Sequence, residues 1–139
     1  MKNFAIFAVA LIITCTAVIA DDSRYINAIR NCSSYSESGT VQNDGMNATS
    51  TKKILGWSNN RCVYQETVKY SGVNANINCR FTKPQLQELS SVMDAYNLTL
   101  KYSGEKVDVS SVSAVQNNPV VKAWSKYLQN PDVCTMDAQ

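Results

Sequence analysis

Alternation is the dominant pattern in the middle of the chain. Cys62, Tyr64, Glu66, Val68 and Tyr70 fall on one side of a period-two run, and Val73, Ala75, Ile77, Cys79 and Phe81 on one side of the next. The positions between the latter are Asn74, Asn76, Asn78 and Arg80, a solvent-facing set. Successive side chains of a strand point to opposite faces, so these runs predict two half-buried strands. Ser71-Gly72 between them predicts a two-residue turn, placing Tyr70 opposite Val73, Cys62 opposite Phe81 and Cys79 opposite Tyr64. Asn43-Asp44-Gly45 and Ser58-Asn59-Asn60-Arg61 mark two further turns, which makes the segment from Ser33 to Thr82 an antiparallel meander of three to four strands.

The period then changes to that of a helix. Leu86, Leu89, Met93, Tyr96 and Leu100 recur at three- and four-residue steps after Thr82-Lys83-Pro84-Gln85, a capping box with proline in the first turn. This predicts a helix from about Lys83 to Tyr102 with Gly104 as its stop, covering the sheet face that carries Val68, Ile77 and Phe81. A loop follows, with a helical turn expected within Ser110–Gln116. Asn118-Pro119 opens a last helix with Val120, Val121, Trp124, Tyr127 and Leu128 as its stripe, and Asn130-Pro131 closes it. Ahead of the meander, Asp22-Ser23 caps a short helix bearing Tyr25, Ile26 and Ile29, ending near Asn31-Cys32. The fold class expected is α+β: a short N-terminal helix, the meander, then two C-terminal helices packed on one sheet face.

The first residues obey another rule. Lys2 is followed by an apolar run from Phe4 to Ala20, with small residues before Asp21-Asp22. One positive charge, an apolar core and a small-residue end predict a cleavable signal peptide over residues 1–20. An uncleaved anchor would want a longer stretch, and lipidation at Cys15 would want a small residue in place of Thr14. Removal of 20 of the 139 residues leaves one domain, 21–139, in the periplasm or outside the cell, with no stable membrane span. Its formal charge falls from +2 to +1 without Lys2, too small to steer it to nucleic acid.

Four cysteines remain: Cys32, Cys62, Cys79 and Cys134. In an exported small domain an even count reads as disulfides. The chain has no histidine and no CxxC pair, which argues against zinc and against an imidazole-activated thiol. Of the three pairings, Cys62–Cys79 with Cys32–Cys134 is favoured, the first stapling a hairpin through a bulge and the second tying the chain ends together. Cys134 otherwise sits in a loose tail.

Without histidine, Ser-His-Asp and Cys-His catalysis are excluded, and no dinucleotide, phosphate or calcium loop is present; no cofactor or metal is expected. Carboxylates such as Glu66 and Asp94 are the remaining route to catalysis, that of a small hydrolase. Glu66 lies on the apolar face of its strand, where the plainer expectation is exposure at a sheet edge or pairing with Lys53; Lys52-Lys53 reads as a solvated strand end. Trp57 and Tyr102 are the candidate binding residues, although a sheet tryptophan more commonly faces the core. Asn31, Asn47 and Asn97 stand in Asn-x-Ser/Thr sequons, which do not by themselves establish glycosylation. Tyr70-Ser71-Gly72-Val73 resembles a loop of the small secreted lysozyme inhibitors over four residues, and no functional residue is carried over from it.

The expected function is that of a non-enzymatic exported domain, binding another envelope or secreted protein or serving the envelope structurally. The alternatives are the carboxylate hydrolase and an inhibitor of a secreted enzyme. The signal reading predicts that N-terminal sequencing of exported protein begins at Asp21; a chain that keeps Met1 or carries lipid at Cys15 contradicts it.

Overall fold

The computed structural model describes residues 23–43, 46–70, 72–104 and 112–138. The expected signal segment, most of the loop after Gly104, Asp44-Gly45 and Ser71 lie outside these residues. The elements are α1 (Ser23–Asn31), β1 (Tyr35–Asn43), β2 (Met46–Ser58), β3 (Arg61–Tyr70), β4 (Val73–Phe81), α2 (Lys83–Ser103), α3 (Val112–Gln116), α4 (Pro119–Leu128) and β5 (Cys134–Ala138). The five strands form one antiparallel sheet in the order β1-β2-β3-β4-β5. This is the expected α+β arrangement with one strand more than the meander predicted. The tail after Asn130-Pro131 is that strand: Cys134 through Ala138 pair with Cys79 through Ala75 at the far edge.

The central hairpin has the expected register, with Tyr70 opposite Val73, Tyr64 opposite Cys79 and Cys62 opposite Phe81. One face of the sheet therefore presents Tyr64, Val68, Ile77, Cys79 and Phe81. These residues form a single core with Tyr25, Ile26 and Ile29 of α1, Leu86, Leu89 and Met93 of α2, and Val120, Trp124 and Tyr127 of α4. Its aromatic centre is tightly set: the Trp124 ring lies 5.3 Å from that of Tyr64 and edge-on to Phe81 at 5.8 Å, and Phe81 is edge-on to Tyr127 at 5.8 Å. Such tilted and edge-to-face pairs add to what burial alone contributes.

Local chemistry fixes the helix ends. Thr82 Oγ1 accepts from the Gln85 amide while Gln85 Oε1 accepts from the Thr82 amide, closing the capping box, and Gly104 ends α2 in the left-handed region at φ 69°. Asn118 Oδ1 accepts from the Val120 and Val121 amides at 2.9 and 3.4 Å. Between helices, Arg30 of α1 pairs with Asp94 of α2. Glu88 of α2 accepts from Lys126 Nζ at 2.6 Å and from the Tyr127 hydroxyl at 2.5 Å, both on α4.

All four cysteines are in disulfides, but the pairing differs from the expected one: Cys32 joins Cys62, and Cys79 joins Cys134. The hairpin keeps its register without the bulge that a Cys62–Cys79 bridge needs. Cys79 instead finds a direct cross-strand neighbour in Cys134, which only the fifth strand supplies. Cys62 is thereby left to Cys32 at the end of α1. Closing loops of 30 and 55 residues, each bridge contributes about 3–4 kcal/mol on the chain-entropy estimate.

Leu89 is fully buried between α2 and the sheet. Leu89→Ala is expected to lower stability by about 2–5 kcal/mol, read as an earlier midpoint in denaturant; an unchanged midpoint would show that the apolar stripe of α2 is not core.

Candidate functional site

Two places depart from the pattern of an apolar core and a wet surface. The first lies beneath the helices. β1, β2 and β3 align Glu37, Lys52 and Glu66 in one row across the covered face, Glu37 opposite Lys52 and Lys52 opposite Glu66. Lys52 is 0% exposed and Glu66 2%. Glu66 Oε1 accepts from the Ser50 hydroxyl at 2.7 Å and Oε2 from the Tyr64 hydroxyl at 3.0 Å. The Tyr25 and Tyr64 hydroxyls stand 3.3 Å apart, and Lys52 Nζ sits 4.8 Å from the centroid of the Tyr25 ring, where the ring face attracts a cation. At the outer end of the row, Glu37 Oε2 accepts from the Tyr35 hydroxyl at 2.6 Å.

The electrostatics follow from burial. Desolvation pushes the Glu66 carboxyl above its ordinary value, against the opposing pull of Lys52 and of the Ser50 and Tyr64 hydroxyls. Desolvation also raises the Tyr25 and Tyr64 phenols, and the Glu66 charge beside them adds to the rise. Tyr25, Ser50, Lys52, Tyr64 and Glu66 are all buried, while Tyr35 and Glu37 on the edge strand β1 are half-buried. Glu66 thus has neither the exposure nor the Lys53 partner expected of it, and Lys52 is no solvated strand end. Lys53 is the exposed one of the pair. Adjacent lysines on a strand must point to opposite faces, so one of the two had to enter the core side once that face was fixed.

The hydrolase reading needs Glu66 and Asp94 to act on one substrate. Asp94 is engaged by Arg30 at the α1–α2 seam, while Glu66 is closed under the helices with its own partners. The structure does not assemble them into a pair. Among the described residues no group of histidine, cysteine or carboxylate side chains is suited to hold a metal, and no helix is long and apolar enough to cross a membrane.

The second place is the end of the β2–β3 hairpin. β1 begins opposite Ile54, so the last residues of β2 extend beyond it with no strand on that side. The β2 register shifts between Ile54 and Gly56, where Gly56 adopts φ 108°, a conformation side chains other than hydrogen rarely allow. Asn59 and Asn60 close the hairpin with positive φ of 51° and 63°, as a two-residue turn of this twist requires. The overhang leaves Trp57 49% exposed and Leu55 exposed beside it, against the core placement expected of a sheet tryptophan. At the same turn Arg61 donates to the Arg80 carbonyl at 3.4 Å and Arg80 to the Ser58 carbonyl at 3.1 Å. Neither arginine forms an ion pair among the described residues.

Tyr102, the other candidate binding residue, is 85% exposed near the end of α2 with Leu98 one turn before it. Trp57 lies at the strand end from which β4 leads into α2, and Tyr102 stands roughly 28 Å further along that helix axis. The two are not one site. Lys52 and the tyrosines around it were the functional-looking residues that sequence reasoning passed over; the two-residue turn at Asn59-Asn60 alone would set Lys53 opposite Glu66, and only the register shift between Ile54 and Gly56 brings Lys52 there.

Comparison of the chain with protein families, with characterised proteins and with solved structures finds no match.

The contrast between the two tryptophans is measurable. Trp124→Phe is expected to leave red-shifted emission readily quenched by acrylamide from Trp57, and Trp57→Phe to leave blue-shifted, protected emission from Trp124; equal quenching in the two variants would refute the half-exposed position of Trp57.

Proposed function

We propose that the mature chain is an exported, non-enzymatic binding domain that engages another secreted or envelope protein, a secreted enzyme among the candidates, through the overhanging end of the β2–β3 hairpin. The observation that carries this reading is Trp57, half exposed on a strand end held in place by a bulge, a tight turn and a nearby disulfide at Cys62. Tryptophan and arginine are among the side chains that most often anchor protein interfaces, the one presenting a large rigid surface and the other a planar fork of donors. Here the backbone carbonyls already restrain Arg61 and Arg80. Their charges, unpaired by carboxylates among the described residues, fit a partner whose contact surface is apolar at its centre and acidic at its rim. Two disulfides are compatible with an oxidising compartment outside the cytoplasm.

A photo-crosslinking amino acid placed at position 57 tests the reading in extract from the compartment the protein is exported to. The expected result is one predominant adduct, competed away by wild-type protein but not by Trp57→Ala or Arg61→Glu, and competed normally by Tyr102→Ala. Competition lost with Tyr102→Ala and retained with Trp57→Ala would move the surface to α2. Turnover of a glycan or peptidoglycan substrate by the purified mature chain, abolished in Glu66→Gln, would overturn the non-enzymatic reading altogether.

A further inference from the structure

The buried row of charges invites a chemical step that is independent of the binding surface. Lys52 and Glu66 are direct cross-strand neighbours on β2 and β3, a relation that sets their Cβ atoms about 4.5–5.5 Å apart. Both are closed to solvent. Keeping two desolvated charges side by side costs free energy that their attraction only partly offsets. Burial pushes the Glu66 carboxyl toward its neutral form, and a proton passed from the ammonium to the carboxylate leaves an amine facing a carboxylic acid. The aromatic ring over Lys52, and the hydroxyls of Ser50 and Tyr64 on the two oxygens of Glu66, hold both partners in place.

We propose that Lys52 and Glu66 condense into an intramolecular isopeptide bond that joins β2 to β3. The Nζ lone pair attacks Glu66 Cδ, forming the C–N bond. The oxygen that becomes negative is Oε1, already receiving the Ser50 hydroxyl at 2.7 Å, a donor placed where the charge develops. The C–Oε2 bond then breaks. The hydroxyl leaves as water, carrying the acid proton and one proton from Nζ. Glu37, the other cross-strand neighbour of Lys52, takes that Nζ proton and returns it as the hydroxyl departs. One amine and one acid become one amide and one water, and no oxidant, activating group or co-reactant is needed. Well-oriented partners on one scaffold react with effective molarities reaching roughly 10⁵–10⁸ M. The product replaces two buried charges with a neutral group, in a site where the water needed for hydrolysis is excluded.

The test is the intact mass of folded, exported wild-type protein after its disulfides are reduced. The expected mass is that of the sequence less one water, with a branched tryptic peptide joining residues 52 and 66 and no cleavage after Lys52. Lys52→Arg and Lys52→Met are expected to show the full mass, and Glu37→Gln a persistent fraction of unjoined chain. Full mass in the folded wild type overturns the proposal. A lost water mapped to Asp44-Gly45, where aspartate can cyclise, overturns it equally. A Glu37→Gln chain joined as quickly as the wild type removes Glu37 from the mechanism.

Discussion

Everything on the covered side of this molecule depends on the alignment of β3 with β4. Tyr70 pairs with Val73, and from that pair each residue of the hairpin is committed to one face or the other. A slip of β4 by one residue would send Ile77, Cys79 and Phe81 to solvent and bring the asparagines of β4 beneath the helices. The three longer helices then have one apolar surface to cover, and they meet on it in a single core. The register also sends Glu66 inward with its neighbours. β2 pairs with β3 through its own tight turn, and the one-residue shift between Ile54 and Gly56 brings Lys52, rather than Lys53, to meet it.

That inward row is the costly part of the fold. A lone buried charge costs several kcal/mol, and the domain has spread the burden over three strands and α1: a lysine between two glutamates, hydroxyls from Ser50, Tyr35 and Tyr64, and the face of Tyr25. Replacing these residues with apolar ones would be the simpler way to fill the space. An amide between Lys52 and Glu66 would remove the electrostatic cost that makes the arrangement unusual.

The hairpin end concentrates the features that leave a large side chain uncovered. β2 outruns β1, a bulge interrupts its pairing, and the turn that follows carries two asparagines in the left-handed region. Each device is local: alternation from Ile54 would put Trp57 on the open face, the bulge turns it to the side of Cys62, and the overhang beyond β1 leaves it half exposed there. The disulfide from Cys32 to Cys62 anchors the strand opposite, so the exposed end stands on a fixed base. The opposite sheet face is of another kind: hydroxyl and amide side chains that bond across strands, such as Ser38 with Thr51 and Thr67 with Asn76, as expected of a wet antiparallel face.

Hydrophobic periodicity determined the class of fold, the extents of α1, α2 and α4, the register of the central hairpin and the identity of most core residues. It could do so because strand and helix periods are properties of neighbours in the chain, and because capping boxes, Asn-Pro starts and Asp-Gly or Ser-Gly turns act over a few residues. The disulfide pairing was decided by tertiary structure: Cys134 meets Cys79 only because the tail returns as a fifth strand, a pairing between segments 55 residues apart. The fates of Lys52, Glu66 and Trp57 were decided the same way. Which of two adjacent lysines enters the core depends on the face that the neighbouring strand has already chosen, and whether a strand-end tryptophan is covered depends on where the next strand begins. These are relations between strands, and no local pattern of polar and apolar residues encodes them.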